Sequence, residues 1–299
     1  MPGGRDLPVF LTVDVGPDDA ILGAGDSEAG SWTRTHEGLG GLLHVLGEVE
    51  KASGLRPVVT WFVRADALIE SQFGSALAVF HSVMPVLEAR LSRGDELAWM
   101  PQLYSRDDSR VRYRDLNRVH GQLTEAGFAP VSVRMGNCYH DNRSIAVLAA
   151  LGIEFDSSAV PGRSRLDGGW RMDWTGTPAT AYHPSVHDYR VAGEPGLEIL
   201  EIPMSVVEMK APYDAGPLLR YVNPCMRPEF LWPSLEKGLD SVPYLLCTSH
   251  PDEVVARKDG HPLIAYSQNV FRENLLAIVR ESAAIGRQVA FRSVRSFHA

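Results

Sequence analysis

The sequence predicts an α/β fold of parallel strands and helical crossovers, closed or nearly closed into a barrel of seven or eight strands. Two observations predict it. Short β-rich runs alternate with helical stripes along the chain, the pattern of parallel strands joined by right-handed crossovers. About seven or eight such units are present, with no internal repeat and no compositional break between them. A single domain over residues 1–299 is therefore expected, since α/β barrels often exceed 200 residues as one unit.

The strand runs are Val9–Asp14, Val58–Val63, Glu96–Trp99, Val131–Met135, Ile153–Asp156, Glu198–Ile202, Pro243–Cys247 and Val289–Phe291. Helical stripes lie between them. Leu39, Leu42, Leu43 and Leu46 follow i, i+3, i+4, i+7 spacing, and Gly54 punctuates the end. Val79, Val83, Val86, Leu87 and Leu91 form a second stripe before Gly94. Ile145, Leu148 and Leu151 lie between Asp141, a plausible N-cap, and Gly152. Phe271, Leu275, Ile278 and Val279 form the last stripe, which ends near Gly286. Residues 161–195 break the rhythm with Gly, Pro, Trp, Tyr and His and read as a long insertion on the rim. Long ordered loops in compact domains are usually functional.

Composition narrows the function. The chain is 44% hydrophobic and 22% charged, enough for a sizeable core and against disorder. Its net charge is −8 and its arginines are scattered, so neither nucleic acid nor an anionic membrane is an expected partner. The opening MPGGRDLPVFLTVDVG lacks an apolar signal core, and no run is long enough for a membrane helix. Cys138, Cys225 and Cys247 have no CxxC spacing, which fits reduced thiols in a cytoplasmic protein. There is no G-x-S-x-G elbow and no P-loop. The run Gly38–Gly41 lies within a helical pattern and is no dinucleotide fingerprint. Nothing points to a nicotinamide or flavin.

In a parallel barrel, chemistry sits where strands end and loops begin. Asp14 ends the first strand, Arg134 lies near the end of VSVRMG, and His250 follows PYLLCTSH. One rim is expected to collect all three, although each taken singly could equally be a cap or a surface charge.

At these residues the chain resembles the polysaccharide deacetylase, or NodB-homology, superfamily of carbohydrate esterases. Within it, the chain is most similar to the deacetylase-like branch of surface-polysaccharide gene clusters. The pieces are LTVDVG (11–16), TWFVRAD (60–66), GDELAWMPQLY (94–104), VRMGNCYHDNRSIAVLAALGIEFDSSAVP (133–161), EIPMS (201–205) and TSHPDE (248–253). The similarity spans Val9 to about Ser293, and the long middle piece is the most specific. The resemblance implies a distorted (β/α) barrel. It implies Asp14 as general base, Arg134 as the residue that tunes it, and His250 as proton donor to the leaving group. Arg134 should ion-pair with Asp14 and favour its charged form. His250 can carry a proton near neutral pH.

The family's metal set is a departure. Val15 stands where the family has a metal-binding acid. Met100, and Gln102 or Tyr104, stand where it has two histidines. Met and Gln cannot replace two imidazoles for zinc. No cofactor is therefore expected, with another divalent site from Asp18, Asp19 or His140 left open.

Asp18, Trp61, Met100, Tyr104, Asn137, Tyr139, His140, Tyr182 and His183 are the expected substrate contacts. Alternatives remain for several. Asp18-Asp19 could bind sugar hydroxyls or a cation, or simply make a turn after Pro17. His140 could touch substrate or be a solvated loop residue. Trp170, Trp174, Tyr182, His183, His187 and Tyr189 could form a lid over a sugar or the insertion's own core. Pro184 argues against a helical His183/His187 metal pair.

Three functions follow. One is metal-independent or atypical-metal hydrolysis of an amide or related C–N bond on a small sugar-like substrate. A second is an inactive relative that binds a glycan or sugar nucleotide. A third is an isomerase or lyase using the same acid–base pair. Substrate and oligomeric state are not encoded legibly.

Overall fold

A computed structural model describes residues 6–17, 32–103, 109–167, 170–258 and 260–297. Its strands are β1 (Asp6–Val15), β2 (Val59–Arg64), β3 (Glu96–Met100), β4 (Ser132–Val133), β5 (Phe155–Asp156), β6 (Ser164–Asp167), β7 (Trp170–Asp173), β8 (Leu200–Glu201), β9 (Val206–Met209), β10 (Leu218–Tyr221), β11 (Leu245–Ser249) and β12 (Gln288–Phe291). The helices are α1 (Thr33–Ser53), α2 (Ala67–Phe73), α3 (Ala78–Leu91), α4 (Ser109–Glu125), α5 (Asn142–Ala150), α6 (Pro228–Leu235) and α7 (Gln268–Ala284). The main sheet runs β11-β1-β2-β3-β4-β5-β8, and β12 also pairs with β1. The eight runs read as strands from sequence all form strands of this sheet.

The described chain forms two compact units, and β1 and β2 contribute residues to both. One unit comprises residues up to 13, 17–60 and 205–293; the other comprises 14–16, 61–204 and 294 onward.

In the first unit, β1 is flanked by parallel partners on both sides. Val9 lies opposite Leu245 and Val13 opposite Ser249, while Asp6 lies opposite Gln288. Helix α1 buries Leu39, Leu42, Val45, Leu46 and Val49 and ends on Gly54 in the left-handed region at φ 71°. Gly38 has a specific reason. A Cβ there would lie 2.0 Å from the Pro251 carbonyl oxygen, so only glycine lets α1 approach the 3₁₀ turn Pro251–Val254. Gly38 is thus a packing device. The hairpin β9–β10, with Leu218 opposite Met209, also belongs to this unit.

In the second unit, the register across successive parallel strands is Trp99 opposite Val133, Val133 opposite Asp156, and Asp156 opposite Glu201. Residues Trp61, Phe62 and Val63 of β2 are all 0% exposed, as expected for strands covered on both faces. Helix α5 starts at Asp141, whose carboxylate accepts from Arg143 N (3.0 Å) and Ser144 N (2.7 Å), while Ser144 Oγ accepts from Asp141 N. Helix α4 is strongly polar but buries Tyr113, Leu116, Val119 and Leu123. Part of the insertion forms the antiparallel hairpin β6–β7. No helix among the described residues is long and apolar enough to cross a membrane.

Candidate active site

In the second unit, β1 presents Asp14 and the segment after β4 presents Arg134. Arg134 is 1% exposed and fully committed. Its Nη1 donates to Asp14 Oδ1 at 2.7 Å, its Nε to the Ser157 carbonyl at 2.7 Å, and its Nη2 to Ser157 Oγ at 2.9 Å. The guanidinium also lies 4.3 Å from the Phe62 ring centre, its flat face against the aromatic ring. A buried cation this well tied has few other orientations, so it fixes the Asp14 carboxylate. Asp14 keeps 12% side-chain exposure, enough for solvent or a substrate to reach it.

The turn after Arg134 is unusual. Asn137 and Cys138 both adopt positive φ, at 56° and 59°. Such angles are uncommon for non-glycine residues. Gly136 tolerates no Cβ easily, because Gln102 Cβ would lie 3.0 Å away. Asn137 is half-buried and Tyr139 buried. Burial pushes the Cys138 thiol up to about 12, with Arg134 opposing and Asp14 adding to the rise. It is therefore no thiolate nucleophile at neutral pH.

Beneath Asp14 and Arg134 is a buried polar cluster. His140 hydrogen-bonds Ser144 Oγ through Nδ1 and Asp156 Oδ2 through Nε2, both at 2.7 Å, so neither ring nitrogen is left for a substrate. Trp174 and Tyr189 pack on His140 at 5.9 and 5.8 Å and on each other at 4.9 Å. Tyr182 donates to the Tyr189 carbonyl, Tyr189 to the Asp173 carbonyl, and Trp174 Nε1 to the Cys138 carbonyl. Asn142 holds the insertion from α5 by accepting from Tyr189 N and donating to His187 O. These described rings pack as the insertion's own core. His183 and His187 are exposed, and His183 Nδ1 lies 3.0 Å from the Leu197 carbonyl oxygen. Trp61 is 0% exposed, and its Nε1 donates to Asp95 Oδ2, which also pairs with Arg90. Met100 and Gln102 are half-buried. Asp18, Asp19 and Tyr104 lie outside the described residues.

In the first unit, His250 follows β11 and opens the turn Pro251–Val254. Its side chain is 37% exposed, with Nδ1 3.5 Å from Glu253 Oε1. Glu253 also accepts from His250 N at 2.9 Å and from Asn223 Nδ2 at 3.0 and 2.9 Å. Burial alone would raise the Glu253 carboxyl, but His250 and Asn223 outweigh it and hold it below the usual range. Glu253 and Asn223 were not singled out from sequence. The Glu253 signal was the capping-box spacing from His250, three residues earlier.

One solved structure shares the architecture. A "putative polysaccharide deacetylase" from Mycobacterium smegmatis superposes with a TM-score of 0.52 at 18% identity, over 99% of this chain and 90% of that one. The chain has the NodB-like fold. It is α/β, with seven strands along one path of the main sheet and β12, paired to β1, as an eighth. Weaker likenesses, on which nothing further rests, are to a "putative polysaccharide deacetylase" of O-antigen biosynthesis from Bordetella bronchiseptica and a family 4 carbohydrate esterase from Streptomyces lividans. The first has a TM-score of 0.41 at 12% identity, over 90% of this chain and 89% of that one. The second has 0.40 at 10%, over 97% and 94%. No family model and no curated protein matches by sequence.

The NodB-like resemblance implies a divalent metal, and the donors here do not fit it. Val15 is 0% exposed and offers only an alkyl group. Met100 offers a thioether and Gln102 an amide, poor substitutes for the imidazoles and carboxylates that zinc takes. Among the described residues, no three His, Cys, Asp or Glu side chains gather as a metal site.

Proposed function

We propose that this protein is a deacetylase-like hydrolase that cleaves an N-acyl amide, or a related C–N bond, on a small sugar-like substrate. Asp14 is the general base in this reading. The observation that carries it is the Arg134 clamp. A buried guanidinium holds one carboxylate oxygen at 2.7 Å while Asp14 stays partly exposed. That is what a base needs if it is to take a proton from water without rotating away. The NodB-like fold supports the reaction class. His250 keeps the role of proton donor that the resemblance implies. The unsuitable metal donors support a reaction that relies on protein hydrogen-bond donors for the oxyanion. They also favour a second reading, a glycan-binding protein that does not turn over.

The test is acetate release from a panel of N-acetylated amino sugars, before and after dialysis against a chelator. Turnover should survive chelation, and Asp14→Asn should lower it at least about 10²-fold with the fold intact. Sugar binding without turnover, altered by Asp14→Asn, would select the second reading. Chelator-sensitive turnover restored by zinc would overturn the metal-independent mechanism.

A further inference from the structure

The register of the second unit puts Asp156 of β5 directly opposite Glu201 of β8. Like charges directly opposite on neighbouring strands are destabilising, and both residues are 0% exposed. Such an arrangement persists only if something compensates and the site has a use for it.

We propose that Glu201 is a positioning residue for Asp14: it braces the turn 156–159, whose Ser157 holds the Arg134 guanidinium. Glu201 Oε1 accepts from Ser158 N at 3.1 Å and Ala159 N at 2.9 Å. Ser158 Oγ donates to Asp156 Oδ1 and accepts from Met135 N, the residue after Arg134. Ser157, between Asp156 and Ser158, offers its carbonyl and hydroxyl to Arg134. The brace thus reaches Asp14 through hydrogen bonds linked by the adjacent backbone residues Ser157–Ser158 and Arg134–Met135. His140, held through Nδ1 by Ser144 of α5, adds support through Asp156 Oδ2.

The brace works as a neutral acid. Glu201 Oε2 is buried without a hydrogen-bond partner among the described residues. Burial first, and the Asp156 charge second, push the Glu201 carboxyl well above its ordinary range, against the two backbone amides. A proton on Oε2 removes the repulsion and leaves Oε1 free to accept both amides. Burial keeps Tyr182 and Cys138 protonated as well, so neither adds a charge to the pair.

This inference rests on Asp14 as the functional carboxylate, so its test is read without turnover. The readout is hydrogen exchange at the Arg134 Nε–H, followed by NMR in the full-length protein. Glu201→Gln keeps a neutral group with the accepting oxygen, and its exchange should stay within about 2-fold of wild type. Glu201→Ala removes the acceptor, and exchange should accelerate by about 10-fold or more as the turn opens locally. Infrared difference spectra of wild type against Glu201→Gln at neutral pH should show loss of one protonated-carboxyl C=O band. Accelerated exchange in Glu201→Gln, or unchanged exchange in a folded Glu201→Ala, would overturn the brace. If Glu201→Ala does not fold, Glu201→Met, which keeps the volume but offers no carboxylate acceptor to Ser158 N and Ala159 N, takes its place with the same expected acceleration. Absence of the carboxyl band would overturn the neutral acid. Failure of Asp14→Asn to affect turnover, with these results intact, would fault the functional reading alone.

Discussion

Glu201 in one unit and Glu253 in the other are both buried glutamates, yet their carboxyls are pushed in opposite directions. Burial raises both. Glu253 is surrounded by donors: the Asn223 amide touches both oxygens, the His250 amide touches one, and the imidazole lies at 3.5 Å. Glu201 has donors on one oxygen only and a carboxylate across the strand pair. The partner set, not the depth, decides which form the fold keeps. Glu253 is organised to hold a charge beside His250, and Glu201 to hold a proton beneath Arg134.

The largest expected effect removes the donors from Glu253. Asn223→Ala deletes the amide shared by both carboxylate oxygens and the acceptor for Cys225 N. It should cost about 2–4 kcal/mol at neutral pH, since a buried carboxylate loses charge-assisted bonds. Asn223→Asp should cost at least as much, because it sets two carboxylates together. Urea unfolding of both variants gives the numbers. A loss below about 1 kcal/mol would mean that Glu253 is solvated rather than held by Asn223.

Much of this frame was legible in the sequence. Eight β-rich runs became eight strands of one sheet, because apolar runs bounded by turn residues carry their own signal. The Asp141 cap and Gly54 fell where residue chemistry puts helix ends. The Asp14–Arg134 pair was expected from strand ends and from the resemblance, and it forms. Helix α4 was missed because its surface is so polar, although Tyr113, Leu116, Val119 and Leu123 mark a buried stripe. The hairpins β6–β7 and β9–β10 were missed because four-residue strands carry little periodicity. The Asp156–Glu201 opposition was out of reach for another reason. The two residues lie in separate short runs, and only the register of β5 on β8 sets them face to face.

A smaller effect sharpens the comparison. Glu253→Gln should destabilise by about 1–2 kcal/mol at neutral pH, because the amide cannot repay the donors arranged for a charge. The folded Glu253 carboxyl lies below its unfolded value, so its stabilisation is present above the unfolded value and lost as pH falls through the folded one. The gap between wild type and Glu253→Gln should therefore close on acidification. A gap that widens toward acid pH would show that Glu253 is held as an acid, like Glu201.

The smallest effect is the mirror image. Glu201→Gln should change stability by no more than about 1 kcal/mol near pH 5, because the amide copies a neutral acid. The folded Glu201 carboxyl lies above its unfolded value. Its favourable contribution is thus complete below the unfolded value, about 4.3, and is lost as pH rises through the folded one. Glutamine has no proton to lose, so the variant should gain on wild type as pH rises. Thermal midpoints at about pH 5 and about pH 8 test this. The midpoint of Glu201→Gln minus that of wild type should be more positive at the higher pH. The same subtraction for Glu253→Gln should stay nearly level between these two values, since both lie above the unfolded carboxyl and wild-type Glu253 is charged and bonded at each. A Glu201→Gln difference that falls with pH would mean that the carboxyl is ionised in the fold. Asp156 and Glu201 would then be two buried charges, and the compensation would have to come from His140 or from Arg134 itself.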